Sequence, residues 1–199
     1  MYVTQHRAIS DPRLMDSLWD LYERCYRHTA EAAATREMFF RHEFDDVLRD
    51  PGNRTWVVWN GSQPIGSTVV ATDFAATRYL SRAYFETNYC EQTLQRRVHY
   101  LLWVVIDRAW GAKGALARLA RETLAVEAAE GALLVFDAPE SNQKDETGGL
   151  AELMKRLASM VSRGTAIQLV ATQRYFAADF SQGARYRELI DSDSEAVPA

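Results

Sequence analysis

The sequence has 199 residues, of which 47% are hydrophobic and 25% charged, a composition typical of a soluble globular protein with room for one large domain. Its formal net charge of −4 argues against a nucleic-acid-binding protein, which normally presents a basic face. Cys25 and Cys90 lie in no CxxC pair, the N-terminus lacks the apolar core of a signal peptide, and no apolar run is long enough to span a bilayer. We therefore expect a cytoplasmic protein with reduced thiols and with neither nucleic acid nor a membrane as its partner.

The first half of the chain predicts a strand, two helices, a hairpin and a third helix. Asp11 followed by Pro12 is a typical helix start, because aspartate caps free amides and proline misses no amide at the first helical position. Asn60-Gly61 between two apolar runs is a strong signal for a hairpin turn. The predicted elements are a strand at residues 2–9, helices at 11–26 and 35–49, hairpin strands at 55–59 and 65–72, and an aromatic-rich helix at 79–89.

The middle of the chain carries the most informative pattern, which predicts a strand, a loop, a helix and a second strand. The apolar run Val98–Ile106 ends at a basic, glycine-containing loop, RAWGAKG, over residues 108–114. A helical stretch follows over Ala115–Glu130, and Gly131 turns the chain into a second apolar run at residues 132–136. The loop offers free amides at a helix N-terminus, where the helix dipole favours an anion, so it is either a phosphate-binding loop or an ordinary strand–helix connection.

The last part of the chain predicts an amphipathic helix at residues 148–161 and two closing strands at 165–170 and 172–176. Residues 191–199 are acidic and small, and we expect them to be disordered. Because helices both precede the hairpin and separate the later strands, the element order predicts an α/β (α+β) protein. Its central β-sheet should be mixed and flanked by helices on both faces.

This order resembles the Gcn5-related N-acetyltransferase (GNAT) superfamily over roughly residues 2–180. Three segments carry the resemblance: TWVVWNGSQPIGSTVV is similar to the family's second and third strands, VHYLLWVVIDRAWGAKGALARLA to its fourth strand, acyl-CoA pyrophosphate loop and third helix, and GALLVFDAPESN to its fifth strand. The resemblance implies a single GNAT-like acyltransferase domain over residues 1–190. It also implies direct transfer of an acyl group from acetyl-CoA, or another acyl-CoA, to a small-molecule amine.

The resemblance also implies where the acyl-CoA binds. The family loop reads Arg/Gln-x-x-Gly-x-Gly/Ala; Arg108 and Gly111 fit it, whereas Lys113 takes the last small position and Gly114 comes one residue late. Backbone amides near Val104 and Val105 would hold the thioester oxygen, and Asn142, after the fifth strand, would face the cofactor. The residues assigned to cofactor binding are Val104, Val105, Arg108, Gly111, Ala112, Lys113, Gly114 and Asn142.

Acyl transfer to an amine needs a base, and His99 is the first candidate because its ordinary pKa is near neutral. The alternative for His99 is a histidine at a strand entrance that bonds to a backbone carbonyl. Glu86 and Glu91 could act through water, or could be solvated surface residues. Tyr100 is also assigned to the catalytic site; strand alternation places it on the opposite face of the sheet from His99, so only one of the two can face the acceptor.

The family often places a tyrosine in the helix after Asn142, where it protonates the leaving thiolate, but Met154 stands near that position here. Tyr100 and Tyr175 could substitute, or both could be packed aromatic residues. We expect no metal, because His42 with Asp45 or Asp46 supplies two ligands at helical spacing and two ligands do not make a site. A hydrolase triad has no support, since no Gly-x-Ser-x-Gly elbow occurs.

Two other functions remain open. One is a long-chain acyltransferase that resembles acyl-homoserine-lactone or N-acyl amino acid synthases and takes its acyl group from acyl carrier protein. The other is a non-catalytic GNAT-fold protein that binds a ligand or a partner. The sequence discloses neither the acceptor nor whether the chain forms a homodimer.

Overall fold

The computed structural model describes residues 1–32, 38–138, 149–173 and 177. The chain divides into two compact units, Met1–Gln168 and Leu169–Ala199. The first unit contains all the described helices and strands. The described residues of the second unit, 169–173 and 177, form neither helix nor strand. Asn142, Tyr175 and the acidic residues 191–199 lie outside the described residues.

The first unit alternates strands and helices as the sequence predicts. The strands are β1 (Tyr2–His6), β2 (Asn53–Asn60), β3 (Gln63–Ala71), β4 (Val98–Ile106) and β5 (Leu133–Val135). The helices are α1 (Pro12–Ala32), α2 (Arg41–Arg49), α3 (Arg82–Asn88), α4 (Cys90–Leu94), α5 (Arg108–Gly111), α6 (Ala115–Glu130) and α7 (Leu150–Ser159), with a short 3₁₀ turn at Phe74–Ala76.

The five strands form one mixed sheet in the order β1-β2-β3-β4-β5. The first three neighbouring pairs are antiparallel, and β4 pairs with β5 in parallel. The hairpin between β2 and β3 turns at Asn60-Gly61, where its sequence predicts the turn. A parallel pair needs a long crossover connection, and α6 supplies it between β4 and β5.

Helices cover both faces of the sheet, which confirms the predicted architecture. On one face, Leu18, Leu21 and Tyr22 of α1 and Phe44 and Leu48 of α2 pack against sheet residues Val57, Val69, Trp103 and Val105. On the other face, Ala115 and Leu119 of α6 pack against Trp56, Val58, Ile65 and Val70. The alternation of neighbouring residues 56, 57 and 58 between the two clusters is the two-residue period of a strand buried on both faces.

Four predicted elements differ most from the structure. The predicted strand at 165–170, and the described part of that at 172–176, are irregular; Ile167 packs beside α7, and Leu169 is 84% exposed. The helix predicted at 79–89 begins only at Arg82, because the Ser81 side chain caps it there. The helix predicted from residue 35 begins at Arg41, and residues 38–40 just before it are not helical.

Candidate functional site

One edge of β4 is open over most of its length. On one side β4 pairs with β3 from Tyr100 to Ile106, but on the other side β5 pairs only with Val98–Tyr100. Beyond Tyr100, no described strand covers this edge. β4 has a bulge close to the point where it separates from β5. Val69 pairs with Trp103 and Val70 pairs with Leu101, which leaves Leu102 as an extra residue. A bulge bends its strand, and here the bend coincides with the point where β4 and β5 separate.

The direction of the β4 amides follows from the register with β3. The Asp107 amide donates to the Ile65 carbonyl at 2.9 Å, so this pair is a hydrogen-bonded one. Antiparallel strands alternate between hydrogen-bonded and non-bonded pairs, so the backbone groups of Val104 and Ile106 point away from β3, toward the open edge. The amide of Val105 faces β3 instead. The amides near Val104 and Val105 were both expected to hold the thioester oxygen. Of these two, only the Val104 amide lies on the open edge.

The loop after β4 presents free amides at the start of α6. The amides of residues 114–117 donate to no acceptor in the described part of the chain, and the first helical bond runs from the Arg118 amide to the Gly114 carbonyl at 3.0 Å. Gly114 adopts φ = 80°, a left-handed conformation that glycine tolerates. A row of free amides at the N-terminus of a 16-residue helix is a suitable binding place for an anion.

The two charged side chains of this loop, Arg108 and Lys113, differ in the contacts that they make. The ammonium of Lys113 lies 4.2 Å from the centre of the Trp110 ring, a cation–π contact that holds it beside the loop. Arg108 is exposed and makes no ion pair with any described residue. A Cβ added at Gly111 meets no atom within 4 Å, so there is open space above this residue. Ala112 lies between Gly111 and Lys113 in the sequence, directly after the last residue of α5.

His99 lies in a buried ionic cluster on the α6 side of the sheet. It is 2% exposed, and its Nδ1 contacts the Glu127 carboxylate of α6. Glu127 also accepts a hydrogen bond from Arg54 at 3.1 Å, and Arg54 donates to Glu130 at 2.6 Å. The partner of His99 is thus a buried carboxylate and not a backbone carbonyl. Burial and this pairing favour a structural role.

Tyr100 points to the opposite face, as strand alternation predicts. Its hydroxyl donates to the Asp137 carboxylate at 2.6 Å, and its ring stacks on Tyr79 with the ring centres 5.6 Å apart. Burial, followed by the negative charge of Asp137, raises the pKa of Tyr100 far above its usual value. Asp137 is exposed and follows β5, beside the point where β4 and β5 separate. The sequence analysis missed Asp137, although an aspartate just after a predicted strand was a usable signal.

The remaining candidate residues, Glu86, Glu91 and Met154, make other contacts. Glu86 is exposed and paired with Arg82 at 2.7 Å on its own helix, and Glu91 is exposed and accepts a hydrogen bond from Gln95 at 3.3 Å. Met154 is buried beside Leu124 on the α6 face, as an ordinary core residue. Within the described residues there is no group of three or more His, Cys, Asp or Glu side chains that could hold a metal ion.

Comparison with solved structures identifies the architecture. An aminoglycoside acetyltransferase from an uncultured soil metagenomic sample, solved in complex with sisomicin, superposes with a TM-score of 0.51 and 12% identity over 88% of this chain and 96% of that one. An aminoglycoside 6'-acetyltransferase type Ii gives a TM-score of 0.51 and 12% identity over 79% and 81%. The chain has the GNAT fold.

No family model matches the sequence, and no curated protein matches it. None of the helices described is long and apolar enough to cross a membrane.

Proposed function

We propose that this protein is an N-acyltransferase that moves an acyl group from an acyl-CoA, in the first place acetyl-CoA, directly to an amine. The observation that carries the proposal is the open edge of β4 beyond Tyr100, followed in the chain by the free amides of residues 114–117. An extended amide-containing chain can add to such an edge as an extra strand. A diphosphate at its end would then reach the helix N-terminus.

The residues present fit an acyl-CoA in four respects. The free amides at the start of α6 suit the diphosphate, and the open space above Gly111 allows close approach. Arg108 and Lys113 add positive charge beside the same loop. The Val104 amide on the open edge is placed to donate to the thioester oxygen and to stabilise the oxyanion that forms there.

We assign Asp137 as the group that accepts the proton of the amine, in place of His99, Glu86 or Tyr100. When the amine nitrogen attacks the thioester carbonyl, a C–N bond forms, the C–S bond breaks and the amine loses a proton to the Asp137 carboxylate. Tyr100 fixes this carboxylate through the 2.6 Å hydrogen bond and is a positioning residue. The departing thiolate needs no phenol near Met154, because an ordinary thiol has a pKa of about 8.5.

The proposal is tested first by ligand binding. Thermal unfolding would be followed with CoA, acetyl-CoA, longer acyl-CoA thioesters and an acyl-carrier-protein thioester, since a ligand that binds only the folded state raises its stability. The donor that stabilises best would then be used in a thiol-release assay with a panel of amines. Aminoglycosides belong in that panel, because the two solved structures compared above are aminoglycoside acetyltransferases.

The loop is tested with a charged variant and an uncharged one of the same shape. Gly111→Asp places a carboxylate in the open space near the proposed diphosphate, whereas Gly111→Asn fills the same space without charge. We expect CoA affinity, measured by calorimetry, to fall about tenfold more in Gly111→Asp than in Gly111→Asn. Equal affinities in the two variants would exclude this loop as the phosphate site. Stabilisation by thioesters without acyl transfer to any amine would favour a non-catalytic ligand-binding protein instead.

A further inference from the structure

Two adjacent hydroxyl side chains are buried in the centre of β3. Ser67 and Thr68 are 1% and 2% exposed, whereas the other buried residues of this strand, over 65–71, are glycine or hydrophobic. A buried hydroxyl lowers stability unless it is hydrogen-bonded, and a valine or alanine would fill a buried strand without that cost. The hydrogen bonds of these two residues therefore show what the hydroxyls do in this strand.

Both hydroxyls bond to the same residue of β4. The Thr68 Oγ1 donates to the Trp103 carbonyl oxygen at 2.8 Å, and the Trp103 Nε1 donates to the Ser67 Oγ at 3.2 Å. Because neighbouring strand residues point to opposite faces, these two bonds hold Trp103 from both faces of the sheet. Trp103 directly follows Leu102, the inserted residue of the bulge, where the ladder of backbone hydrogen bonds is disrupted. The hydroxyls thus support β4 at its irregular position.

The peptide group between Trp103 and Val104 connects Thr68 to the proposed site. The C=O and N–H of a trans peptide lie in one plane and point in opposite directions. Thr68 holds the C=O of this group on the β3 side, so the N–H of Val104 is directed to the open edge of β4, in agreement with the strand register. A hydrogen bond to the C=O also polarises the peptide group, which makes its N–H a stronger donor.

We propose that Thr68 is a positioning residue for acyl transfer. On the proposed function, on which this inference rests, the Val104 amide donates to the thioester oxygen and to the oxyanion that forms when the amine attacks. Thr68 fixes the plane of the peptide group, and so the direction of this N–H, before any substrate binds. A donor that is aimed in advance needs no reorganisation during the reaction, which is why such donors are effective.

The alternative is a hydroxyl that serves only the stability of the sheet, and Thr123 of α6 provides a matched control for it. Thr123 is 3% exposed, and its Oγ1 donates to the Leu119 carbonyl at 3.0 Å. Thr123→Val therefore removes the same kind of bond, from a buried hydroxyl to a backbone carbonyl, within a helix and away from the Val104 peptide group. A role in stability alone predicts the same behaviour for Thr68→Val and Thr123→Val.

The test compares three variants of the full-length protein. Thr68→Val stays close to the shape of the side chain but lacks the hydroxyl, Thr68→Ser keeps the hydroxyl, and Thr123→Val is the control. Infrared difference spectroscopy with acetyl-CoA that carries ¹³C at the carbonyl measures the stretching frequency of the bound thioester without any amine present. A weaker hydrogen bond to the carbonyl oxygen raises this frequency. Steady-state kinetics with an accepted amine and calorimetry with CoA complete the comparison.

We expect Thr68→Val to raise the carbonyl frequency of bound acetyl-CoA and to lower kcat about tenfold, less than the roughly 10²–10³-fold effect of removing an oxyanion donor altogether. KM for the amine and the affinity for CoA, which has no thioester carbonyl, should stay within about twofold. Thr68→Ser should keep kcat within about threefold of the wild type, because it retains the hydrogen bond. Thr123→Val should change neither the frequency nor kcat, although its melting temperature should fall as that of Thr68→Val does.

Equal carbonyl frequencies and equal kcat in Thr68→Val and the wild type, or the same changes in Thr123→Val, would overturn the inference and leave the proposed acyltransferase activity standing. If Thr68→Val does not fold, Thr68→Ala and Thr68→Ser make the same comparison, because both lack the methyl group and only serine has the hydroxyl. If acetyl-CoA binds but no amine is acylated, the proposed function fails, and the carbonyl frequency still decides whether Thr68 directs the Val104 amide. If the wild type binds no acyl-CoA, both proposals are rejected.

Discussion

Replacing Glu127 by glutamine tests the buried ionic cluster around His99. The side chains of Arg54, His99 and Glu127 are 8%, 3% and 4% exposed, so solvent screens the Arg54–Glu127 ion pair very little. Glu127→Gln keeps the size of the side chain but removes the carboxylate that contacts both Arg54 and His99. Among the described residues, Glu130 then remains the only carboxylate bonded to Arg54, and Arg54 Nε already lacks a hydrogen-bond partner there.

Breaking a buried ion pair by removing one member typically costs about 3–5 kcal/mol. For a protein of this size, about 1 kcal/mol lowers the melting temperature by about 2–4 °C, so we expect a decrease of roughly 10 °C. Calorimetric melting together with urea unfolding measures it. The control is Glu122→Gln, whose partner Arg121 is 58% exposed, and which should change stability by less than about 0.5 kcal/mol. A loss below about 1 kcal/mol in Glu127→Gln would refute the view that these charges are desolvated and mutually dependent.

The same cluster decides the role of His99. If His99 is structural, His99→Ala should lower stability and leave kcat per folded molecule within a few-fold of the wild type. If His99 is the base, turnover should fall about 10²–10⁴-fold while the melting temperature holds. Asp137→Asn provides the comparison, since we expect it to lower kcat by that larger factor without disturbing the Arg54 cluster.

Three further changes test the packing around the site. In Gly66→Ala the new Cβ would lie 2.5 Å from Ile106 Cδ1 and 2.9 Å from the Val105 carbonyl oxygen, so we expect a loss of about 1–3 kcal/mol in urea unfolding, whereas Gly111→Ala, with open space, should cost far less. Met154→Leu conserves volume in an apolar cluster and should leave both turnover and melting temperature nearly unchanged; a loss of turnover alone would place residue 154 in the site. Folding raises the pKa of Tyr100, so the contribution of this residue to stability is complete below about pH 10 and is lost as the pH rises further. The stability of Tyr100→Phe, measured by urea unfolding, should therefore depend less on pH in that range than the stability of the wild type. Equal pH slopes in the two proteins would contradict this last expectation.

The sequence predicts the central part of the fold well because local signals agree there. The apolar run gives β4 with the bounds Val98–Ile106, and glycines flank the following helix, α6, at Gly114 and Gly131. Both glycines adopt positive φ, which few other residues tolerate, so they mark the helix ends in the sequence as well as in the structure. Alternation along a strand also predicts that His99 and Tyr100 face opposite sides.

Alternation alone could not assign either residue to a particular helix. His99 contacts Glu127, which lies 28 residues away on α6, and Tyr100 donates a hydrogen bond to Asp137 beyond β5. Such pairings depend on how the helices pack against the sheet, and no local sequence pattern specifies that packing. For the same reason the predicted strand at 165–170 fails, because a strand-like pattern does not supply a neighbouring strand with which to pair.

The bulge at Leu102 changes which residues of β4 face α1 and α2. Without an extra residue, strand alternation would place Leu102 and Trp103 on opposite faces. The bulge instead turns both toward α1 and α2, where Trp103 stacks on Phe44 with ring centres 5.0 Å apart and Leu102 packs against the same buried cluster. The last β4 residue that pairs with β5 is Tyr100, so the inserted residue lies two positions beyond it, where the edge of β4 has just become free. A single inserted position thus puts two neighbouring large side chains on the α1–α2 face, next to the start of the open edge.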